Sequence, residues 1–170
     1  MRLASEKRLE SLLIGGNALI LLGHVRATVD LDLLVSEGQR SQWLDFLREL
    51  GYRLLHGVAG FAQFEPVERD GTPVDLMFVD EETWRKLRTD SREMTLAGQL
   101  IHLPRPEYLV ALKLHAASSK TRTNPELDWA DIRQIVTICQ LNPNDPTFRE
   151  LILRYGGENG LAKIKGFKQD

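Results

Sequence analysis

The stretch that decides the fold is LLIGGNALILLGHVRATVDLDLLV, residues 12–35. It opens with a short apolar run that ends on the pair Gly15-Gly16, and it closes with a second run that contains Asp30 and Asp32. Polar and apolar side chains alternate through this second run, which predicts a strand with both aspartates on one face. Burying carboxylates beside valine and leucine is costly without compensation. The two aspartates therefore lie either on a solvated strand face or in a cation site.

The segments around this stretch are predicted from hydrophobic periodicity and from glycine and proline punctuation. We predict a polar helix at 4–10, a strand at 11–14, a helix from 16 or 17 to 23, a strand from 28 to 33, a helix that ends at Gly51, a strand pair around 57–60, a strand at 73–80, a helix at 81–89 and a small hairpin around 97–98. Hairpin-linked strands after a single intervening helix argue against a regular βαβ winding. This order predicts the α+β class.

The last third of the chain has a different pattern. Three helical segments are predicted at 105–120, 128–140 and 145–156, each opened by proline, aspartate or an Asn-Pro pair. The glycines and lysines of 158–170 predict a loosely ordered tail. We therefore expect a core at 1–104 and a C-terminal helical section at 105–170 that packs on it to form a single compact unit.

Composition narrows the class of protein. The 170 residues carry a net charge of -2, which excludes an overall basic nucleic-acid binder but allows a local basic groove. The single Cys139 cannot form an intrachain disulfide, which fits a reducing compartment. The N-terminal apolar stretch is too short and too charged for a signal peptide, and no segment approaches the roughly 20 apolar residues of a membrane span. We expect a cytoplasmic protein that does not associate with membranes.

The aspartates suggest a divalent metal site. Asp30 and Asp32 are separated by roughly 6.5–7 Å along an ideal strand, so both carboxylates can reach one ion or two neighbouring ions. Hard oxygen ligands favour Mg²⁺ or Mn²⁺. Asp75 lies between Val74 and Leu76 in another apolar strand and is the candidate for a third ligand. The plainer interpretation of Asp-x-Asp is a solvated strand face.

The glycine pair suggests a phosphate site. Gly15 and Gly16 lie at a predicted strand-to-helix junction, where backbone N–H groups and the helix dipole favour an anion. Glycine has no Cβ to block a phosphate. An isolated Gly-Gly is more simply a tight turn, but beside a carboxylate pair it indicates a site for a metal-chelated polyphosphate.

Together these motifs resemble the nucleotidyltransferase superfamily that includes DNA polymerase β, in which a Gly-Gly or Gly-Ser turn precedes an Asp-x-Asp strand and a third acid. GGNAL and RATVDLDLLV resemble the minimal bacterial subgroup related to the AbiEii and MenT toxins, with Arg26 and Thr28 at matching positions. LVALKLHAASSKTR and ELDWADIRQI resemble its helical section. The resemblance spans most of residues 11–136. It implies a nucleotidyltransferase-like mixed sheet flanked by helices, followed by the C-terminal helical section.

The resemblance also implies a role for each matching residue. It implies that Asp30, Asp32 and Asp75 bind Mg²⁺ or Mn²⁺ and are the catalytic residues. It implies that Asp75 also helps to activate the attacking hydroxyl. The residues implied in binding the nucleotide are Gly15, Gly16, Arg26, Thr28 and Lys113, with Asp131 supporting Lys113 or the wall of the site. Arg26 has an equal alternative, pairing with an aspartate. Without the resemblance, Lys113 is more simply a surface lysine. One position departs from the pattern, because Leu127-Asp128 stands where relatives usually have Lys-Asp.

The predicted function is metal-dependent transfer of a nucleoside monophosphate from a nucleoside triphosphate to a hydroxyl acceptor. The resemblance suggests tRNA or another RNA as acceptor and a cognate antitoxin protein as partner. Two alternatives stay open: a nucleotide-binding, non-catalytic partner of the antitoxin kind, and a small-molecule enzyme of the aminoglycoside-modifying kind. Phosphatases that use Asp-x-Asp normally follow it with threonine, whereas Leu33 and Leu34 follow it here.

Overall fold

Seven α-helices and seven β-strands form the described part of the chain, which covers residues 2–96, 98–118 and 124–167 of a computed structural model. The elements are α1 (Arg2–Glu6), β1 (Leu12–Leu13), α2 (Gly15–Leu21), β2 (Leu31–Ser36), a 3-10 turn (Glu37–Gln39), α3 (Arg40–Glu49), β3 (Tyr52–Val58), β4 (Phe61–Pro66), β5 (Val74–Val79), α4 (Glu81–Thr89), β6 (Arg92–Leu96), β7 (Gln99–Leu103), α5 (Pro106–Ala117), α6 (Pro125–Ile138) and α7 (Pro146–Lys165). The predicted α+β class is confirmed.

Five of the strands form one mixed sheet in the order β1-β2-β5-β4-β3. β2 and β5 run parallel, and the other neighbouring pairs are antiparallel. The connection between β2 and β5 contains α3 and the β3–β4 hairpin, so the sheet is not a regular βαβ winding. The parallel register pairs Asp32 with Asp75 at the centre of the sheet.

The strand that carries the aspartates is shorter at its start than predicted. β2 begins at Leu31, so Asp32 lies on the strand but Asp30 lies in a bend just before it, and Val29 is 80% exposed. The first ladder bond runs from the Leu31 N–H to the carbonyl of Pro73. Proline has no N–H to donate back, which ends the parallel ladder at this point.

Alternation along β5 is as predicted and fixes the two faces of the sheet. Val74, Leu76 and Phe78 are buried on one face, while Asp75 and Met77 are half-buried on the other. The apolar face packs against α3, whose Trp43 side chain is 1% exposed. Because β2 and β5 are in register, the side chain of Asp32 shares the face of Asp75.

The chain divides into two compact units. The α+β unit contains Met1–Leu21 and Arg26–Pro104, and the helical unit contains Leu22–Val25 and Arg105–Asp170. That the two units pack into a single one stays a prediction. The small hairpin of β6 and β7 belongs to the α+β unit and was predicted around 97–98; residue 97 lies outside the described residues.

The last helix is longer than predicted. The tail at 158–170 was expected to be loosely ordered, but α7 continues to Lys165 through a kink at Gly157, where φ is 62°. Leu161 and Ile164 are 4% and 1% exposed, so burial of their side chains stabilises this last part of the helix. Among the described residues, no helix combines the length and apolar character needed to cross a membrane.

A buried ionic group lies inside the helical unit. The Lys113 ammonium on α5 lies 3.1 Å from Asp128 Oδ1 and 2.8 Å from Asp131 Oδ2, both on α6. The two aspartates are 0% and 1% exposed, and the lysine side chain is 15% exposed. Lys113 is therefore an ion-paired, largely buried side chain and not a solvated surface lysine.

We expect Ile164→Ala to lower the free energy of unfolding by about 2–5 kcal/mol, because it opens a cavity beneath α7. Urea unfolding of the intact chain measures this difference. The matched control is Lys165→Ala, one residue further along and exposed, which we expect to change stability by less than about 0.5 kcal/mol. Equal stability of the two variants would contradict the ordered end of α7.

We expect Lys113→Met to destabilise the protein by about 3–5 kcal/mol, because it takes a cation away from two buried carboxylates. The double variant Lys113→Met/Asp128→Asn removes one of the buried negative charges and should recover part of the loss. Thermal and urea unfolding of both variants measure the coupling. A single variant as stable as the wild type would show that the ionic group contributes nothing.

Candidate active site

Three carboxylates from two parts of the α+β unit meet on one face of the sheet. Asp30 precedes β2, Asp32 lies on β2, and Asp75 lies on β5. One oxygen from each side chain lies within 4.8 Å of an oxygen of the others, and all three residues are half-buried. The residue from the distant strand thus lies on the same side of the sheet as the Asp-x-Asp pair.

The environment of Asp75 penalises its charge. Burial raises the pKa of the Asp75 carboxyl above its usual range, and the negative charge of Asp30 raises the pKa further. A hydrogen bond from the Gln63 side chain acts in the opposite direction. Oδ1 of Asp75 is buried and has no hydrogen-bond partner among the described residues. A cation between the three carboxylates would satisfy this oxygen and offset the repulsion.

Asp30 is held by its neighbours although it is not part of a strand. The Thr28 hydroxyl donates a 2.8 Å hydrogen bond to Asp30 Oδ1. The Asn17 side-chain amide donates a 2.7 Å bond to the Asp30 backbone carbonyl. These two bonds fix the bend that brings Asp30 beside Asp32.

The glycine pair lies against these acidic residues. Gly15 has φ 61°, and a Cβ at this position would lie 1.8 Å from Asp32 Oδ2. A Cβ on Gly16 would lie 2.6 Å from the Thr28 hydroxyl oxygen. Both positions therefore require glycine because Asp32 and Thr28 approach the start of α2 closely. Contact of their N–H groups with phosphate stays a prediction.

The remaining predicted residues lie in two places. Arg26 belongs to the α+β unit, and its Nε donates a 3.3 Å bond to the Ala27 carbonyl. Lys113 and Asp131 belong to the helical unit, where they form the ion pair described above. Leu127, the departure from the family pattern, is 43% exposed near the start of α6. Roles for Arg26, Lys113 and Asp131 toward a nucleotide stay predictions.

The donor set suits a hard divalent cation. Three carboxylates close to one another, one with a buried oxygen that has no hydrogen-bond partner among the described residues, match the oxygen ligands of Mg²⁺ and Mn²⁺. The described part of the chain contains no second group of three such residues. Asp30, Asp32 and Asp75 are therefore the residues that would hold the ion.

Two residues of the site, Asn17 and Gln63, were not predicted from the sequence. Asn17 follows the glycine pair directly, so its position in the motif was the available signal. Gln63 is the strand partner of Asp75 on β4. Its place could be found only from the register of three strands, which hydrophobic periodicity does not give.

Comparison with solved structures shows the fold. The antibiotic-resistance factor ANT(2'')-Ia has a solution structure that matches with a TM-score of 0.66 at 16% identity, covering 95% of this chain and 90% of that one. The lincosamide antibiotic adenylyltransferase LnuA, solved with lincomycin, matches with a TM-score of 0.58 at 15% identity, covering 81% and 92%. An antigenic nucleotidyltransferase-like protein from Paracoccidioides brasiliensis gives 0.54 at 19%, covering 98% and 88%. These likenesses confirm a nucleotidyltransferase-like fold.

Sequence comparison identifies the family. No curated protein has a significant match to the chain. One family model, described as nucleotidyl transferase AbiEii toxin of the type IV toxin–antitoxin system, matches residues 2–169. This match covers both units and every residue of the acidic cluster. The chain therefore belongs to the AbiEii nucleotidyltransferase toxin family, and it is an enzyme of the nucleotide-transferring class.

Proposed function

We propose that this enzyme transfers a nucleoside monophosphate from a nucleoside triphosphate to a hydroxyl group of tRNA, and that the transfer requires a divalent cation. The convergence of Asp30, Asp32 and Asp75 on one sheet face is the observation that carries the proposal. Membership in a toxin–antitoxin family supports an antitoxin as the partner. RNA as the acceptor is the expectation that the sequence resemblance to the toxin subgroup gives.

The three carboxylates provide the negative charge that holds the ion. When bound, Mg²⁺ or Mn²⁺ supplies charge stabilisation at the attacking and leaving oxygens of an in-line displacement. Asp32 and Asp75 hold their positions through the β2–β5 ladder, and Asp30 through Thr28 and Asn17. Positioning and electrostatics are the main contributions that a protein makes to phosphoryl transfer.

Asp75 is suited to accept a proton. Its carboxylate lies on the face where the acceptor hydroxyl is proposed to bind, and an ionised carboxylate within hydrogen-bond reach can take the hydroxyl proton. In the transfer, the acceptor oxygen forms a bond to the α-phosphorus, the bond from the α-phosphorus to the bridging oxygen breaks, and pyrophosphate leaves. The hydroxyl proton passes to the Asp75 carboxylate. Asp75 is therefore proposed as general base as well as ligand.

The nucleotide phosphates are proposed to lie against the start of α2 and beside cationic side chains. Gly15 and Gly16 would donate backbone N–H groups, and Arg26 and Thr28 flank the same segment. Lys113 is a further candidate for binding phosphate that the family resemblance implies, and its ammonium is ion-paired with Asp131 at 2.8 Å.

The test of this proposal is incubation with each α-labelled nucleoside triphosphate, Mg²⁺ and total RNA. We expect label on RNA of tRNA size, release of pyrophosphate, and loss of both in excess EDTA. Parallel incubations replace the RNA with an aminoglycoside or a lincosamide. Label on either of these small molecules, with none on RNA, would overturn the proposed acceptor. Nucleotide binding without pyrophosphate release under any of these conditions would overturn the proposed reaction.

We expect Asp32→Asn to reduce transfer about 100-fold or more while the protein still folds, because the substitution keeps the shape of the side chain and removes one negative ligand. The initial rate of pyrophosphate release measures this effect. Asp70→Asn, in an exposed turn of the same unit, is the matched control and should keep the wild-type rate. An Asp32→Asn variant as active as the control would show that Asp32 is not a catalytic residue.

We expect Asp75→Asn to raise the Tm of the metal-free protein at neutral pH while it abolishes transfer. Because the folded-state pKa of Asp75 is raised, the folded state binds its proton more tightly than the unfolded state does. Proton binding to Asp75 therefore stabilises the folded state below the ordinary aspartate pKa, and this stabilisation is lost as the pH rises through the folded-state pKa. The advantage of the variant should therefore shrink as pH falls toward about 4.

The measurement is thermal unfolding in EDTA from neutral pH to about pH 4, followed by Mg²⁺ titration at neutral pH. Mg²⁺ should raise the Tm of the wild type more than that of Asp75→Asn. A variant less stable than the wild type at neutral pH in EDTA would show that burial and repulsion of the Asp75 charge do not dominate the effect of this residue on stability.

A further inference from the structure

Gln63 stands in line with two of the acidic residues, and its contact with Asp75 suggests a role that rests on the proposed function. Asp32 on β2 pairs with Asp75 on β5, and Asp75 pairs with Gln63 on β4. Paired residues on adjacent strands point to the same face and are separated by about 4.8 Å, the spacing between strands. Asp75 thus lies between a carboxylate on one side and a carboxamide on the other.

The carboxamide makes a specific contact with the central residue. The Gln63 side chain is the cross-strand neighbour of the Asp75 carboxylate on the same face and acts to lower the pKa of that carboxyl by hydrogen bonding, whereas Oδ1 of the carboxylate is buried without a hydrogen-bond partner among the described residues. The amide nitrogen of Gln63 is the donor in this bond, because an ionised carboxylate can only accept. The strand pairing therefore places a carboxamide donor on the β4 side of Asp75, while Oδ1 of Asp75 has no hydrogen-bond partner among the described residues.

The strand keeps Gln63 in this orientation. Its neighbours Ala62 and Phe64 are 2% and 0% exposed and point into the core, so the alternation of β4 directs residue 63 to the acidic face. A shift of one residue would expose Phe64, which makes the register strongly preferred. Gln63 is therefore held on the acidic face by the packing of its own strand.

We propose that Gln63 is a positioning residue for the reaction: its carboxamide orients the Asp75 carboxylate so that the unpartnered oxygen faces the divalent ion and the acceptor hydroxyl. Gln63 itself contacts neither. The position requires a neutral donor, because a carboxylate here would place a further negative charge beside Asp30, Asp32 and Asp75. An apolar side chain of the same length would leave the Asp75 carboxylate free to rotate.

Three variants separate this role from a packing role. Gln63→Met keeps the length of the side chain and loses the donor, and Gln63→Glu keeps the shape and replaces the donor with an acceptor. Glu65→Gln is the matched control, since Glu65 lies on the same strand and face and is ion-paired with Arg53. Thermal unfolding in EDTA verifies that all three fold.

The test measures Mn²⁺ binding directly, from loss of the free-ion EPR signal, and then the rate of nucleotide transfer against Mg²⁺ concentration. We expect Gln63→Met to bind Mn²⁺ about 10- to 100-fold more weakly, as is typical when the partner of a metal ligand is removed. The Mg²⁺ concentration for half-maximal rate should rise in parallel, and kcat should fall more than KM for the nucleotide rises. Gln63→Glu should be worse than Gln63→Met, and Glu65→Gln should match the wild type.

The outcomes distinguish this inference from the proposed function. If the wild type transfers nucleotide and Gln63→Met binds Mn²⁺ and turns over like Glu65→Gln, Gln63 is a packing residue and the inference is overturned. Weakened Mn²⁺ binding in Gln63→Met, with a wild type that transfers no nucleotide, supports the positioning of Asp75 and overturns the proposed reaction instead.

Discussion

The parallel pairing of β2 with β5 is the constraint on which the rest of the α+β unit depends. It places Asp32 directly beside Asp75, about one strand spacing away, in a half-buried setting. Two like charges this close raise the free energy of the folded protein unless a cation lies between them. Burial raises the pKa of Asp75, and the negative charge of Asp30 raises it further. We therefore expect the metal-free protein to be less stable than one in which a divalent ion lies among these carboxylates.

The segments around this pair act to hold the acids together. Asn17 at the start of α2 fixes the backbone of Asp30, and Thr28 fixes its side chain. The glycine motif has a steric basis in the structure, because any side chain at residue 15 would occupy the place of the Asp32 carboxylate. A motif interpreted from the sequence as a phosphate turn is thus first a requirement for the close approach of α2 to the acidic strand.

Sequence reasoning was most accurate where the information is local. The β3–β4 hairpin, the alternation of β5 and the helix at 81–89 all follow from periodicity within a few residues. The start of β2 could not be predicted from local periodicity, because it is set by pairing with Pro73, about 40 residues further along the chain. The end of α7 could not be predicted locally either. Burial of the Leu161 and Ile164 side chains stabilises the helix more than the neighbouring glycines destabilise it.

Some residues of the candidate site could likewise be predicted from the local sequence, and others could not. The three acids were found from their residue type and spacing, and their meeting required only that two apolar strands be neighbours. Gln63 was not found, because an isolated glutamine in a strand has no distinguishing pattern. The pairing of Lys113 with both Asp128 and Asp131 required the packing of α5 on α6, which spacing along one helix does not reveal.

The position of Asp30 just outside the ladder gives the three ligands unequal stiffness. Asp32 and Asp75 are locked by main-chain hydrogen bonds on a packed sheet, while Asp30 belongs to a bend anchored by two side-chain contacts. If the proposed ion binds here, Asp30 would be the carboxylate that follows an ion of different radius while the other two keep their places. We therefore expect the mechanical compliance of the proposed centre to be concentrated in Asp30, so that the segment before β2 would set the range of ionic radii that the three carboxylates accommodate.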